Sequence, residues 1–317
     1  MGGVPRDTQK LPPSMFPPAD APPDEPDTER AMSVAVPSVR DRATLTVLSG
    51  PSPGFIFSLD GDEAIIGRDN DVDIRIDDPS VSRRHARVAR RGTKVVLEDM
   101  GSTNGTFVSS RRVTSVDLSS GDRLQIGPKC TLRFAMTDEA EERMQRQLYE
   151  GSTKDALTQA FNRKYLWDRL AAEIAYALRH KSELAVLLFD IDEFKKTNDV
   201  HGHLAGDAVL RAIADQVRQL VRLEDVFARY GGEEFVVLIR ASGAEDGAQL
   251  AERLRAHVMA MKVPFAEKVL SVTVSVGVAR LAEMPADAAG RDLIAKADER
   301  LYRAKGLGRN RVVAADS

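Results

Sequence analysis

The chain contains a single cysteine, Cys130, among its 317 residues. One thiol excludes an internal disulfide framework and suits a reducing compartment. A small packed side chain on a strand is the simpler role for Cys130. No apolar run approaches the roughly 20 residues of a membrane span, and the N-terminus lacks the basic and then apolar pattern of a secretory signal. The sequence therefore predicts a cytoplasmic protein without a membrane span.

An excess of charge of one sign is also absent. The 45 Lys and Arg residues nearly balance 48 Asp and Glu, and the formal net charge is −3. This balance gives no electrostatic reason to expect nucleic acid or an anionic membrane as a partner. No cluster of His and Cys indicates zinc. The length predicts about two domains, each able to bury a core.

Residues 1–43 are rich in proline, with Pro-Pro pairs beginning at positions 12, 17 and 22, and they have few large apolar side chains. Such a composition buries too little surface to offset the entropy of ordering the chain. We expect a disordered tail. It carries two threonines that follow an acidic residue, Thr8 and Thr28, which are candidate phosphorylation sites. An unphosphorylated entropic tail is the alternative.

Short apolar segments separated by turn residues fill residues 44–136, which predicts an all-β sandwich. Between these segments stand three polar motifs: Gly-Arg at 67–68, SRRH at 82–85 and GSTNGT at 101–106. In this combination the region resembles the forkhead-associated (FHA) family of phosphothreonine-peptide binding modules. The turn residues taken alone would indicate only turns.

The FHA resemblance implies a role for each motif. Arg68, Ser82 and Thr103 would hold the phosphate, which needs a guanidinium and hydroxyl donors. Arg83 and Asn104 would contact the peptide backbone. His85 would brace the loops. The phosphothreonine peptide would come from the protein's own tail, tethered at a high effective concentration, or from a partner protein.

Residues 137–153 predict a linker helix. Thr137 is the expected N-cap, acidic residues follow in the first turn, and Met144 and Leu148 lie one helical turn apart. This apolar stripe is too thin to indicate a coiled coil.

In the remaining residues, 154–317, four acidic residues stand at the ends of apolar segments. Asp190 and Asp192 follow LAVLLF, and Glu233 and Glu234 follow a Gly-Gly turn. Acidic groups at the rim of buried strands must be solvated, paired or bound to metal. Magnesium fits best, because it prefers oxygen ligands and is commonly held by one or two carboxylates together with nucleotide phosphates.

Helices and strands alternate here in the order βαββαβ, the ferredoxin-like palm arrangement of an α+β domain. Such a sheet brings the end of its first strand next to the central hairpin turn. The segments are predicted as helices 165–180, 205–220 and 246–261 and strands 184–189, 226–230, 234–240 and 269–279.

The motifs in this half resemble the GGDEF family of diguanylate cyclases. The signature turn reads GGEEF at 231–235, and DALTQAFNR, FDIDEFKKTND, GHLAGD and ADERLYRAKGLGRN occur in the family's order. Several ordered motifs are far more specific than one glycine-rich turn. Only Gln159 and Ala160 depart from the commoner residues, and neither is a proposed ligand.

The resemblance implies that two GTP molecules condense to cyclic di-GMP with release of two pyrophosphates. Asp190, the carbonyl of Ile191 and Glu233 would bind Mg²⁺, and Glu234 would assist a second ion; Mn²⁺ is an alternative metal. Glu233 is also the candidate general base, whereas Asp192 is expected to be structural. The phosphates would contact Lys195, Lys305, Arg309 and the backbone N–H groups of Glu193 and Phe194. Asn198 and Asp207 would recognise guanine.

Three further expectations follow. A product with two-fold symmetry requires two facing catalytic domains, hence a homodimer. Arg222 and Asp225 match an RxxD site at which the product inhibits many members of the family. Two alternatives to the regulated cyclase stay open: a phosphoprotein-binding scaffold whose GGEEF domain only senses nucleotide, and a cyclase that makes a hybrid dinucleotide.

Overall fold

The structure is a computed structural model, and it describes residues 40–50, 52–222, 224–240, 244–285 and 287–315. Most of the predicted tail, with Thr8 and Thr28, lies outside these residues. The predicted end of the tail at residue 43 is wrong, because the first strand begins at Arg42. Ala43 is already buried in the first core.

The N-terminal β-sandwich confirms the all-β prediction. Two sheets face each other and bury the alternate apolar side chains of their strands, among them Leu45, Ile66, Leu97 and Phe134. In the first sheet the strand order is β2-β1-β11-β10-β7-β8, and in the second it is β4-β3-β5-β6-β9. The strands are β1 (Arg42–Ser49), β2 (Ile56–Ser58), β3 (Glu63–Gly67), β4 (Ile74–Arg75), β5 (Ala86–Arg91), β6 (Lys94–Asp99), β7 (Thr106–Val108), β8 (Arg111–Val113), β9 (Ser115–Leu118), β10 (Arg123–Ile126) and β11 (Cys130–Thr137).

Helix α1 (Glu139–Thr153) follows the sandwich directly. The predicted N-cap Thr137 is wrong: Thr137 is the last residue of β11, and the carboxylate of Asp138 accepts the N–H of Glu141 at 2.8 Å instead. Aspartate is as good an N-cap as threonine, so sequence preference alone does not separate them. Met144 and Leu148 are both exposed.

The second domain is a layered structure of helices around one sheet, which is antiparallel except for the parallel pairing of its last two strands. The strand order is β13-β14-β12-β17-β18, which confirms the ferredoxin-like arrangement and adds β18 at one edge. Its elements are α2 (Arg163–His180), β12 (Leu184–Ile191), α3 (Phe194–His201), α4 (His203–Leu220), β13 (Val226–Arg229), β14 (Glu234–Arg240), α5 (Ala244–Ala260), β15 (Val263–Phe265), β16 (Lys268–Leu270), β17 (Val274–Arg280), α6 (Gly290–Gly306) and β18 (Val312–Val313).

The predicted strand 269–279 is wrong as one unit. It divides into β16, which pairs with β15 in a small hairpin, and β17, which joins the main sheet. Residues 271–273 separate the two strands, and Thr273 accepts the N–H of Asp192 with its carbonyl at 2.9 Å and donates its hydroxyl to the Asp192 carboxylate at 2.7 Å. Helix α3 was also missed, since only Phe194 and Val200 of its eight residues are apolar and the segment is too short to show a helical repeat.

Strand β12 is the centre of the second domain. All eight of its residues are buried, and its side chains alternate between two separate cores, one with Leu187 and Phe189 and the other with Val186 and Leu188. A strand covered on both faces needs a continuous apolar run, which is what LAVLLF provides. Within the described residues, no helix combines the length and apolarity that crossing a bilayer would require.

Gly277 on β17 allows α6 to approach the sheet closely. A Cβ at this position would overlap the carbonyl oxygen of Ala297 and the backbone nitrogen of Leu301. We expect Gly277→Ala to destabilise the second domain by about 1–3 kcal/mol, as overpacking does. Gly151, in α1, meets nothing within 4 Å, so Gly151→Ala should instead stabilise by about 0.5–1 kcal/mol. Urea unfolding followed by circular dichroism measures both, and equal effects would contradict the close approach.

Candidate functional site

The pairing of β12 with β14 brings the predicted acidic residues together. Asp190 lies opposite Glu234 in the antiparallel register, and the N–H of Ile191 donates to the carbonyl of Glu233 at 3.4 Å. The Gly-Gly turn closes tightly, because the N–H groups of Tyr230 and Gly231 both donate to the carbonyl of Glu234. Residues more than 40 positions apart in sequence thus form one acidic edge.

The acidic edge is electrostatically strained. Burial raises the pKa of Asp190, and the ammonium group of Lys305, 2.8 Å from its Oδ2, opposes that rise. Burial also raises the pKa of Glu233 and of Glu234, and the negative charge of Asp190 raises both further. The charge of Asp190 therefore disfavours the ionised forms of Glu233 and Glu234, a repulsion that a bound cation would relieve.

Within the described residues, no group of three or more His, Cys, Asp or Glu side chains converges as a complete metal site. Magnesium does not require one, since one or two carboxylates together with substrate phosphates commonly hold it. Asp190, Glu233 and the backbone carbonyl of Ile191 supply oxygen donors of that kind. The residues present fit a divalent cation that is completed by its substrate.

Asp192, in contrast, points into the protein. Its carboxylate accepts hydrogen bonds from the hydroxyls of Ser275 and Thr273, at 2.6 and 2.7 Å, and from the N–H of Asn310 at 3.0 Å. These bonds tie the loop after α6, with Arg309, to the end of β12. The expectation of a structural role for Asp192 is confirmed.

Helix α3 begins beside this anchor. Glu193 adopts a left-handed conformation with φ 55° and turns the chain into α3, so that Phe194 and Lys195 occupy the first helical turn. The first N–H groups of a helix have no partner inside it and attract anions. Phe194 packs into the core, and Lys195 is exposed.

Asn198 lies one turn further along α3. Its side-chain oxygen Oδ1 is buried and has no hydrogen-bond partner in the protein. Gly206 leaves room for it, because a Cβ at 206 would overlap that oxygen. Asp207 follows directly on α4. A buried acceptor without a donor costs free energy, so this position suits a ligand with N–H donors.

Two residues that the sequence analysis did not single out hold the signature turn. Arg229 donates to the carbonyl of Gly232 at 2.6 Å and also to that of Gly231, and the same guanidinium pairs with Asp155 at 3.1 Å. The N–H and hydroxyl of Thr158 both donate to Asp155. The motif DALT thereby braces the turn from outside. The occurrence of DALT together with the signature turn in one sequence was the signal that could have indicated this contact.

The sandwich brings its five predicted residues to one place. A cleft of about 610 Å³ is lined by Arg68, Ser82, Arg83, Thr103 and Asn104. The hydroxyl of Ser82 accepts the N–H of Thr103 at 3.0 Å, and the amide of Asn104 donates to the carbonyl of Ser80. Loops that are 20 residues apart in sequence therefore share one polar surface.

His85 joins those loops from below. It is fully buried; its Nδ1 accepts the N–H of Ser82 at 3.1 Å, while Nε2 lies 3.2 Å from the carbonyl of Gly105. These partners require the neutral ring with its proton on Nε2. Burial lowers the pKa of His85, against the smaller opposing effect of the Gly105 carbonyl.

Arg222 and Asp225 both lie just before β13. The N–H of Arg222 donates to Oδ2 of Asp225 at 2.9 Å, so the two residues form a closed turn. Asp225 is buried, with 8 % of its surface exposed, and its Oδ1 has no hydrogen-bond partner. Burial raises the pKa of Asp225.

Comparison with known families identifies both domains. The model described as "Diguanylate cyclase, GGDEF domain" matches residues 152–311, half of the chain, and the FHA domain model matches residues 64–127. The chain belongs to the GGDEF family. Its GGDEF domain contains the acidic edge, and its FHA domain contains the cleft.

Curated relatives agree with this assignment. The chain is 45% identical over 161 residues to the diguanylate cyclase DgcP of Pseudomonas aeruginosa. This match covers 51% of this chain and 24% of DgcP. It is 36% identical over 228 residues to the response regulator PleD of Caulobacter vibrioides, covering 70% and 47%. The chain thus spans less than half the length of these two relatives.

Solved structures show the same GGDEF fold. The coiled coil and GGDEF domain of DgcB from Caulobacter crescentus, in complex with c-di-GMP, superposes with a TM-score of 0.51 at 30% identity, covering 55% of this chain and 92% of that one. The diguanylate cyclase SiaD of Pseudomonas aeruginosa, in complex with its activator SiaC, gives 0.50 at 34%, covering 55% and 66%.

The buried neutral His85 makes the FHA domain sensitive to acid. Because its folded pKa lies below the ordinary 6.5, the unfolded chain takes up the proton first, and stability is lost as the pH falls through and below about 6.5. The loss is about 1.4 kcal/mol per unit of pKa difference. We expect the stability difference between wild type and His85→Gln to shrink from pH 7.5 to pH 5. Chemical denaturation at each pH measures it, and a constant difference would contradict the neutral buried ring.

Proposed function

We propose that the protein is a diguanylate cyclase that condenses two GTP molecules into cyclic di-GMP with release of two pyrophosphates. One observation carries this proposal: the register that sets Asp190 beside Glu233 and Glu234, with Lys305 on Asp190. Family membership and the cyclases among its relatives support the same activity.

In each step a ribose 3′-hydroxyl attacks the α-phosphate of the other GTP in line with the leaving pyrophosphate. The hydroxyl must lose its proton as the new P–O bond forms. Glu233 is the proposed base, and its raised pKa brings its proton affinity nearer to that of a group working at neutral pH. The P–O bond to pyrophosphate breaks as the new bond forms, so charge on the triphosphate must be neutralised.

We propose Mg²⁺ as the cofactor, two ions per site, with Mn²⁺ as a substitute. Asp190, the carbonyl of Ile191 and Glu233 would hold one ion, and Glu234 would assist the second. When bound, the metal neutralises phosphate charge and makes a hydroxyl easier to deprotonate. The mutual repulsion of the three carboxyl groups supports a cation at this edge.

Positive side chains and free backbone donors would hold the triphosphate. Lys305 and Arg309 come from α6 and the loop after it, and Lys195 comes from the first turn of α3. The N–H groups of Glu193 and Phe194 complete the set. Elements from two sides of the strand end would therefore enclose the phosphates.

Asn198 and Asp207 are the proposed guanine contacts. Guanine offers N–H donors at N1 and N2 that adenine lacks in this pattern, and the unpartnered oxygen of Asn198 can accept one. This favours GTP for both substrates. A mixture of ATP and GTP tests it, because a hybrid dinucleotide would show that the site does not discriminate.

Catalysis requires a homodimer in this proposal. One domain binds one GTP, and each ribose hydroxyl must reach the phosphate held by the other domain. An isologous pair of GGDEF domains supplies that geometry. Activity per enzyme molecule should then rise with enzyme concentration in the dilute range.

The FHA domain is proposed to regulate the cyclase by binding a phosphothreonine peptide, from the tail around Thr8 or Thr28 or from a partner protein. The shared cleft of Arg68, Ser82 and Thr103 supports this role. Arg222 and Asp225 are proposed as an inhibitory site for cyclic di-GMP.

The catalytic role of Glu233 predicts a large loss on substitution. We expect wild-type protein with GTP and Mg²⁺ to form cyclic di-GMP, and Glu233→Gln to lower the rate by about 100-fold or more, the range of a positioned general base. Glu267→Gln, at an exposed hairpin turn, is the matched control and should keep full activity. Chromatography of the products measures both, and a variant as fast as wild type would refute the assignment.

The FHA cleft predicts phosphate-dependent binding. We expect phosphorylated Thr8 or Thr28 peptides to bind at least tenfold more tightly than unmodified ones, and Arg68→Ala to abolish the difference, because a guanidinium bond to phosphate is charge-assisted. Lys94→Ala, which removes an exposed ion pair with Asp117, is the control. Calorimetric titration measures the affinities. Equal affinity for both forms of both peptides would exclude the tail as the ligand.

A further inference from the structure

The FHA domain contacts the GGDEF domain through two charged residues at and just after β4. Arg75 pairs with Glu224 at 3.6 Å, and Asp77 pairs with Arg240 at the end of β14. Glu224 stands inside the RxxD motif, directly before Asp225. The FHA domain therefore lies on the proposed inhibitory site.

The interdomain ion pairs are partly shielded from water. Arg240 is 12 % exposed, and its Nε pairs at 2.6 Å with Glu173, which is 3 % exposed. Its guanidinium also lies over the ring of Tyr176. Pairs with so little solvent are screened far less than those on an open surface. Asp77 therefore pairs with a largely buried guanidinium, whereas the Arg75–Glu224 pair is 23 % and 30 % exposed.

Docking of the FHA domain divides the RxxD motif between two spaces. Asp225 borders a cavity of about 610 Å³ that Arg222 does not line, and Arg222 borders a separate cavity of about 180 Å³. Arg75, Asp77 and Glu224 line both cavities and form the partition. The FHA residues Arg75 and Asp77 therefore occupy space beside both members of the motif, which a ligand that contacts Arg222 and Asp225 together would have to enter.

The docked state also leaves groups unsatisfied at the partition. Oδ1 of Asp225 and Nε of Arg75 are buried without hydrogen-bond partners. Each such group costs free energy that a donor or acceptor from a ligand, or water after undocking, would recover. The interface is thus stabilised by its ion pairs and opposed by these two groups, which suits reversible docking.

We propose that FHA docking through Arg75 and Asp77 and the binding of cyclic di-GMP to Arg222 and Asp225 exclude each other. The proposal rests on the inhibitory role given above to this motif. By linkage, whatever holds the FHA domain in place weakens product binding, and the product in turn displaces the FHA domain by the same factor. The docked FHA domain is then a competitor of product inhibition.

Direct titration of cyclic di-GMP into the full chain, without GTP, tests the exclusion. Arg75→Ala and Asp77→Ala each remove one docking pair and lie outside the residues assigned to the active site and the phosphopeptide cleft. We expect each to lower the Kd for cyclic di-GMP about fivefold or more, the usual lower range of coupling. Lys94→Ala, the FHA ion-pair variant distant from this contact, should leave the Kd unchanged. Arg222→Ala should weaken binding at least tenfold in every background.

Two results would overturn the proposal. An unchanged Kd in both docking variants would show that the product does not compete with the FHA domain, and a weaker Kd would show that the FHA domain helps to bind it. Hydrogen exchange of residues 72–78 provides a second measurement: it should rise when the product is added to wild type, and constant protection would contradict displacement. Neither measurement needs catalysis, so an inactive chain would remove the proposed cyclase activity while leaving this test intact.

Discussion

The antiparallel pairing of β12 with β14 is the constraint on which the GGDEF site depends. It fixes Asp190 opposite Glu234 and sets the carbonyl of Glu233 on the N–H of Ile191. These carboxylates would not approach one another in the unfolded chain, because the charges of Asp190 and Glu234 raise the pKa of Glu233. The buried apolar residues of β12 and β14 supply the stabilisation that holds them together. Folding brings these negative charges together, and a cation bound with a triphosphate would relieve their repulsion.

The loops that line the FHA cleft are also positioned by buried residues. Its ligand-facing side chains are on loops, which are ordinarily mobile, yet His85 ties the Ser82 loop to the Gly105 loop through one buried ring. Gly67, the last residue of β3, lets the Ser82 loop approach that strand closely, since a Cβ at position 67 would overlap the carbonyl of Arg83. In both domains the residues proposed to bind ligand are positioned by residues to which no ligand contact is assigned. Asp192 and Arg229 do this in the GGDEF domain.

Much of this arrangement could be predicted from the sequence. The apolar run LAVLLF indicated a fully buried strand, and the fixed order of motifs indicated which distant acidic residues share a site. What could not be predicted depends on partners far away in sequence. The division of the predicted strand into β16 and β17 depends on the pairing of β16 with β15, and the bracing of the Gly-Gly turn depends on the contact of Asp155 with Arg229. The N-cap of α1 is Asp138 and not Thr137, because Thr137 belongs to β11, where its side chain is buried.

The contact between the domains was the least predictable part, since Arg75 and Asp77 read as ordinary surface charges beside a turn. Their importance comes from where the chain places them: only four residues separate Asp77 from Ser82. Ser80, within that segment, bonds both Asp78 and Asn104. A ligand that pulls on Ser82 and Asn104 therefore acts on the same short segment that contacts Arg240. The proposed regulation of the cyclase by the FHA domain would therefore act through this segment, because it belongs both to the cleft and to the contact with Arg240.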